Sequence, residues 1–265
     1  MKICLLWFAT FLIAIPGAAR AETPEERGFR ILEQALHDPN EETRGNAVQA
    51  LGLLVKNERA RELAEAALAD ATPEVRAAGA TSLGQIGLPA SIEKLQAALK
   101  DEEPEVVFST AAALYVLKDP NAYRIYYAVL TGERKTGEPL LDSQLEMLKD
   151  PQALAKIGFE AGMGFIPFGG IGYKTFRTIR QDKVSPVRAA AAQRLATDPD
   201  PRTAKALADA ASDKEPVVRA SVVSAIAQRG DPELLSAVIP LLDDESDTVR
   251  FNAAAAVIHL SAKLP

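Results

Sequence analysis

Three sets of residues have types and spacings that could do chemistry. The first is rich in glycine. Gly170-Ile171-Gly172-Tyr173-Lys174-Thr175 comes close to a loop that cradles phosphates with backbone N–H groups and a lysine. That chemistry needs Gly-Lys-Thr in succession, and Tyr173 separates the last glycine from Lys174. A dinucleotide fingerprint also fails, because Pro167 stands where Gly162-x-Gly164 needs its third glycine. The second set is the histidines. There are only two, His37 and His259, far apart, and neither has a second histidine or cysteine at helical spacing to share a metal. The third set is a series of acid–base pairs. Asp38 and Arg44, Asp70 and Arg76, Asp182 and Arg188, Asp213 and Arg219, and Asp244 and Arg250 are each six residues apart; Asp101 is followed at the same distance by Val107.

Charges repeated this evenly are better explained by architecture than by a catalytic centre. The Arg positions step by 32 and then 31 to Val107, and after a gap of 81 by 31 and 31 again. Arginine's rigid fork of donors suits it to bond a carboxylate or turn carbonyls of its own and neighbouring repeats. The remaining acids sit in this ladder or on solvated faces, so no carboxylate pair stands out for general acid–base work. No cofactor, metal or catalytic residue is expected.

The elements that must hold such a ladder are helices. A first helix ends at or near each Asp, as in Glu62–Ala69, Ile92–Lys100, Ala204–Ala211 and Glu233–Leu242. A turn follows, often with proline: Pro73, Pro104, Pro186 and Pro216. Proline is tolerated in a first helical turn, where no intrahelical N–H partner exists. The second helix then opens with small residues, as in Val75-Arg76-Ala77-Ala78-Gly79-Ala80, which let neighbouring helices approach closely. Leu51, Leu83, Leu114, Leu195, Ile226 and Val257 each follow the Arg position by seven residues, on the same helical face. One hairpin cannot bury that face alone; stacking makes the core continuous.

These features resemble HEAT repeats of the short type named after the phycobilisome lyases, over residues 24–120 and 182–262. The resemblance implies an all-α protein, an α-solenoid of about six helical hairpins with one mid-chain insertion. For function it implies little, since the family spans scaffolds, adaptors and some enzymes. The deoxyhypusine hydroxylases are HEAT-like enzymes whose di-iron site uses His-Glu pairs. Here the corresponding dipeptides are His37-Asp38 and His259-Leu260, so that site does not carry over. Nothing beyond the repeat itself carries over the lyases' activity on bilins.

Residues 121–181 break the rhythm. Asn121–Leu130 reads as the first helix of a repeat and Val184–Ala196 as its delayed second helix, with the insertion between them. Within it, Gly162 to Tyr173 carries no charge. Ten aromatics lie between Phe108 and Phe176, out of fourteen Phe and Tyr in the whole chain. Residues 121–181 hold eight Lys and Arg against six acids, a slightly basic segment in an acidic protein. Three readings compete. The aromatics fill an irregular cavity against the solenoid. They form a binding surface, with Tyr123, Tyr126, Tyr127, Phe165, Phe168 and Tyr173 as anchors for a protein partner. Or the Gly-rich loop touches a membrane, although it is too short to span one and its Gly and Pro oppose a regular interfacial helix.

The amino-terminal residues read as an export signal. Lys2 precedes an uncharged, mostly apolar run from Ile3 to Ile15, Pro16-Gly17 breaks it, and Ala19-Arg20-Ala21 supplies a small-x-small cleavage pattern. Cleavage is expected after Ala21. It removes Lys2, Arg20, Cys4 and no acid, so 30 Lys and Arg against 36 Asp and Glu become 28 against 36, a net charge of −8. With no cysteine left, a disulfide framework and thiolate chemistry are excluded. The acidic balance opposes general nucleic-acid binding. The chain divides into a signal (1–21), amino-terminal repeats (22–120), the insertion region (121–181) and carboxy-terminal repeats (182–265). The reading is a non-enzymatic interaction scaffold, periplasmic or secreted, that binds a protein through the solenoid face and the insertion. The alternative is an enzyme or enzyme subunit with a pocket between insertion and solenoid.

Overall fold

The computed structural model describes residues 21–120, 122–123 and 185–264, and all that follows concerns these. They form eleven α-helices: α1 (Pro24–Leu36), α2 (Glu41–Leu51), α3 (Glu58–Ala67), α4 (Pro73–Ile86), α5 (Ile92–Ala98), α6 (Pro104–Val116), α7 (Ser185–Leu195), α8 (Pro201–Ala210), α9 (Pro216–Arg229), α10 (Leu235–Val238) and α11 (Asp247–Ser261). Helices α1–α2, α3–α4, α5–α6, α8–α9 and α10–α11 are repeats, and α7 is a second helix. The expected all-α solenoid of HEAT-like hairpins is what forms.

Local chemistry sets the helix starts. Thr23 accepts from the Glu26 amide while the Glu26 carboxylate accepts from the Thr23 amide, a reciprocal cap that starts α1. Asn40 and Asn57 cap α2 and α3. Pro73, Pro104 and Pro216 stand in the first turns of α4, α6 and α9, where a missing N–H costs nothing.

The second helices form one row, but not in chain order. Helix α7 packs on α9, α9 on α11, α2 on α4 and α4 on α6. The two halves meet where the ends of the chain meet: α11 packs on both α1 and α2. The row therefore runs α7, α9, α11, α2, α4, α6. Gly28 of α1 sits so close to α11 that a Cβ there would come within 2.9 Å of the Ala254 carbonyl oxygen and of Ile258. One core runs through the joint, including Phe29, Leu32, Leu51, Leu83, Leu114, Ile226, Val257 and Leu260. Of the six positions seven residues after the Arg, five are buried; only Leu195, at the α7 end, is partly exposed.

Candidate functional site

The acid–base series is the first place to look for function, and the structure uses it for stacking. Arg44, Arg76 and Arg219 each reach in two directions. Arg44 donates through Nε and Nη2 to both carboxylate oxygens of Asp70, in the next repeat, at 2.8 and 2.9 Å. Its Nη1 donates back to the carbonyls of Asp38 and Pro39, in its own turn, at 2.9 and 3.2 Å. Arg76 holds Asp101 and its own Asp70 and Ala71 carbonyls in the same way. Arg219 does so with Asp244 and the Asp213 and Lys214 carbonyls. Arg188 pairs with Asp213. The offset of six thus joins an Arg to its own Asp through the backbone carbonyl, whereas the carboxylate belongs to the Arg one repeat earlier.

Each Asp also accepts the amide two residues on, as Asp70 does from Thr72 at 2.8 Å and Asp244 from Ser246 at 2.9 Å. These contacts fix the charge state. The Arg44 fork holds the Asp70 carboxyl below its ordinary range, with the Thr72 amide assisting against burial. At Asp101 and Asp244 burial pushes upward, but the Arg76 and Arg219 forks and the local amides more than offset it. An ionised carboxylate with its lone pairs engaged is neither general acid nor metal ligand in waiting.

Two acids outside the ladder are buried, Asp119, which accepts from Gln96 Nε2 at 2.9 Å, and Glu65. Ser91 Oγ and Lys94 Nζ donate to its two oxygens at 2.7 Å, and Arg61 pairs with it along α3. Burial raises its pKa, and those three partners bring it below the ordinary value. It clasps α3 to the α5 hairpin. Among the described residues, no group of three His, Cys, Asp or Glu side chains could hold a metal ion.

Two irregular rungs mark the ends of the halves. Val107 stands where the ladder Arg is missing and is buried. Among the described residues α6 is the last second helix of the row, so an Arg there would bury a charge with no described Asp to receive it. At the joint, Arg250 keeps its bond to the Asp244 carbonyl at 2.8 Å but turns its other arm to Asp247 of its own helix. Asp38, the acid one repeat on, instead accepts from the Asn40 amide. The joint is laced by Arg27 with Asp243 and by Thr43 with Asp247.

The aromatic expectation can be placed at one residue. Tyr123 is exposed and packs against Tyr115, with ring centroids 5.3 Å apart and planes tilted by 59°. Val116 beside them is 47% exposed. Tyr126, Tyr127, Phe165, Phe168, Tyr173 and the ladder acid Asp182 lie outside the described residues, as do the signal segment and the glycine-rich stretch. Tyr115 and Val116 had not been singled out as anchors. The available signal was positional: the residue eight after the Arg position is Gly52, Gly84, Ala196, Ala227 or Ile258 in the other repeats, and tyrosine only here.

A family model described as HEAT repeats matches residues 29–123 and 176–258, about two thirds of the chain, so this chain belongs to the HEAT-repeat family. No functionally curated protein matches it. Among solved structures it is similar to human deoxyhypusine hydroxylase in complex with glycerol, at 19% identity over 88% of this chain and 84% of that one, with a TM-score of 0.33. It is similar to the complex of CpcE and CpcF of phycocyanin lyase from Nostoc sp. PCC7120, at 20% identity over 96% and 100%, with a TM-score of 0.35. It is also similar to an engineered protein, at 13% identity over 89% and 96%, with a TM-score of 0.29.

Proposed function

We propose that this HEAT-repeat chain is a non-enzymatic scaffold that binds a protein partner in the cell envelope, after export and cleavage following Ala21. HEAT repeats are in general protein-interaction modules. The observation that carries the reading here is the exposed Tyr115–Val116–Tyr123 patch at the α6 end of the row. Tyrosines that show both an apolar body and a hydroxyl are the side chains most often found as anchors at interfaces. The conspicuous charged residues are engaged in stacking and leave no described catalytic constellation. Tyr126, Tyr127, Phe165, Phe168 and Tyr173 extend the proposed patch into the insertion.

The test is affinity capture from the native envelope with wild type, with Tyr115→Ser/Tyr123→Ser, and with a chain lacking residues 159–173. A partner captured by wild type and lost from both variants is expected. Identical partners for all three would refute the patch as the docking site. The mature amino terminus is checked by sequencing the exported protein; a start other than Glu22 refutes the cleavage assignment.

A further inference from the structure

We propose that the edge of the row where the second helices end rests on an anionic lipid surface. The proposal goes beyond the protein-binding reading and shares only the α6 end with it.

Five of the six large apolar side chains that stand exposed among the described residues lie on this edge. Leu264 follows α11 and is 51% exposed, Val55 follows α2 at 49%, and Val116 ends α6 at 47%. Tyr115 and Tyr123 pack together beside Val116. Next to each of the three aliphatic tips stands an exposed lysine: Lys263, Lys56 and Lys118. The helix ends lie side by side. The Lys56 amide and ammonium donate to the Ile86 and Gly87 carbonyls at the end of α4, and a Cβ on Gly230, which closes α9, would meet Lys263 Nζ. Thr43 bonded to Asp247 puts the starts of α2 and α11 together, so these packed helices also end together.

Two of the lysines sit in left-handed backbone, Lys56 at φ +60° and Lys118 at φ +62°. The left-handed residue that closes α4 and α9 is glycine, Gly87 and Gly230, which adopts that conformation without strain. A lysine kept there points to a use for its side chain.

The opposite edge, where the second helices start, is of another kind. It exposes Glu41, Glu42, Glu74, Glu102, Glu103 and Glu245, with Lys100 and Lys214 among them, and Val187 of α7 is its one exposed large apolar side chain among the described residues. Helix dipoles favour acids at helix starts and lysines at helix ends. They do not favour half-exposed valine, leucine and tyrosine. Among the acids of the lysine edge, Glu22, Glu26 and Glu58 are engaged by Arg30, the Thr23 amide and Arg61, while Glu25 and Glu93 count against the lysines. Second helices of 11 to 15 residues hold the two edges about 16–23 Å apart, about two Debye lengths at physiological salt. The acidic edge therefore does not cancel the lysines at a surface that touches their side.

This pattern selects its partner. Successive tips stand one or two helix steps of about 8–10 Å apart, so they form neither a pocket for a small molecule nor the continuous core of a protein interface. A bilayer surface takes dispersed tips. Valine, leucine and tyrosine enter the headgroup boundary, and lysine stems lie along it with the ammonium on phosphate. Contacts in one line over about 24–30 Å, from α11 to α6, also orient the chain, with its acidic edge away from the lipid.

Flotation of the purified chain from Glu22 onward tests this, with phosphatidylcholine vesicles used plain or mixed with an equal part of phosphatidylglycerol. Flotation is expected with the mixed vesicles, and at least fivefold less with the plain ones or at high salt. Val55→Asp/Leu264→Asp, at exposed tips, should lower binding at least tenfold with an unchanged Tm. Lys56→Gln/Lys118→Gln/Lys263→Gln should bring the mixed vesicles down to the plain level, and arginine at the same three positions should restore them. Glu41→Gln/Glu42→Gln on the opposite edge should leave binding unchanged. No flotation, flotation indifferent to both edge variants, or flotation lost only when residues 159–173 are removed overturns the proposal; the last would assign the membrane to the insertion. Tyr115 and Tyr123 are intact in these variants, so the two readings separate. If Val55→Asp/Leu264→Asp loses the vesicles but still captures the envelope partner of the wild type, both stand. If nothing floats and capture still depends on the tyrosines, the scaffold reading survives alone. If the chain floats as expected but no envelope protein depends on the tyrosines, the patch falls and the lipid edge stands.

Discussion

Between α2 and α4, and again between α9 and α11, neighbouring second helices are tied by an Arg with both arms on one Asp carboxylate. Between α11 and α2 no such rung forms. Arg250 turns inward to Asp247, and the joint is closed by Gly28 against Ala254 and Ile258 and by Arg27 with Asp243. Inside each half the Arg–Asp rungs act together with a close apolar fit, since a Cβ on Gly84 would lie 2.9 Å from Ala113. At the joint the apolar fit is as close, and other polar pairs, Arg27 with Asp243 and Thr43 with Asp247, stand in for the rung. The row of repeats in space is the chain order cut at the insertion and rejoined at the termini.

The largest expected difference is between the two kinds of rung. The Arg219 and Asp244 side chains are only 9% and 6% exposed. Arg219→Ala leaves a buried carboxylate without its partner, which costs about 3 kcal/mol. For a chain of this size that lowers Tm by about 6–12 °C. Arg250→Ala breaks a more exposed contact, at 29% and 41%, and should cost about 0–1 kcal/mol. Thermal melts of both variants decide it. Equal losses would mean that the joint is held by the same means as the rest.

A wedge at the joint should come next. Gly28→Val pushes a branched side chain into the Ala254 carbonyl and Ile258, and overpacking of this kind costs about 1–3 kcal/mol. If the halves then part before they melt, denaturation followed by tryptic release of α1 and by circular dichroism will show two transitions instead of one. A single unshifted transition would mean that α1 does not seat on α11 as described.

The sequence carried most of this as periodicity. Helix type, the start of each second helix, the buried residue seven after the Arg and the stacking role of the charges were all readable. The fold is accordingly the expected one. The receiving acid of each rung was not readable, because Asp70 repeats at a fixed offset both from its own Arg, six residues on, and from the Arg of the repeat before, and a regular offset cannot say which of the two its carboxylate serves; the turn, which aims the Asp70 carbonyl at Arg76 and its carboxylate at Arg44, decides it. The order of the row was hidden for a related reason. Every second helix presents nearly the same small, apolar flank, so periodicity cannot say which copies are neighbours. One trace of the joint was present. An open solenoid needs polar outer faces on its terminal repeats. Helix α11, the last described helix, instead carries the unbroken apolar run Ala253 to Ile258, and the structure buries all of it.

Acid separates the two kinds of contact further. The carboxyls of Asp70, Asp101 and Asp244 titrate below their ordinary value of 3.8 in the folded chain. A depressed carboxyl contributes stability above the unfolded value, and that contribution is lost as pH falls through the folded one. Stability should therefore decline below about pH 4. In Arg219→Ala the burial of Asp244 remains without its fork, so protonation relieves the site, and the gap between variant and wild type should narrow as pH falls from 6 to 3. Urea melts across that range measure it. A gap that widens would assign the loss to packing by the Arg stem and not to its charge.

The smallest effect is expected from the most drastic change to the chain. In the row, α1 stands to α11 as α3 stands to α2, each the first helix of the next hairpin packed on the second helix before it. Six residues, 52–57, join α2 to α3. Fusing Pro265 to Glu22 gives residues 262–265 and 22–23, again six, between α11 and α1. A circular permutant that begins at Glu133 and ends at Gly132, with that fusion, makes the chain order follow the row across the joint. It should fold with a Tm within a few degrees of the parent, because loop closure changes by only a fraction of a kcal/mol when short links replace one another. It should also remove the sensitivity of the joint to Gly28→Val, since the halves can no longer separate at the ends of the chain. A permutant that fails to fold would place the true neighbours of α1 and α11 elsewhere. A permutant that folds but keeps two transitions with Gly28→Val would show that the link, unlike the six residues 52–57, does not bring its helices into register.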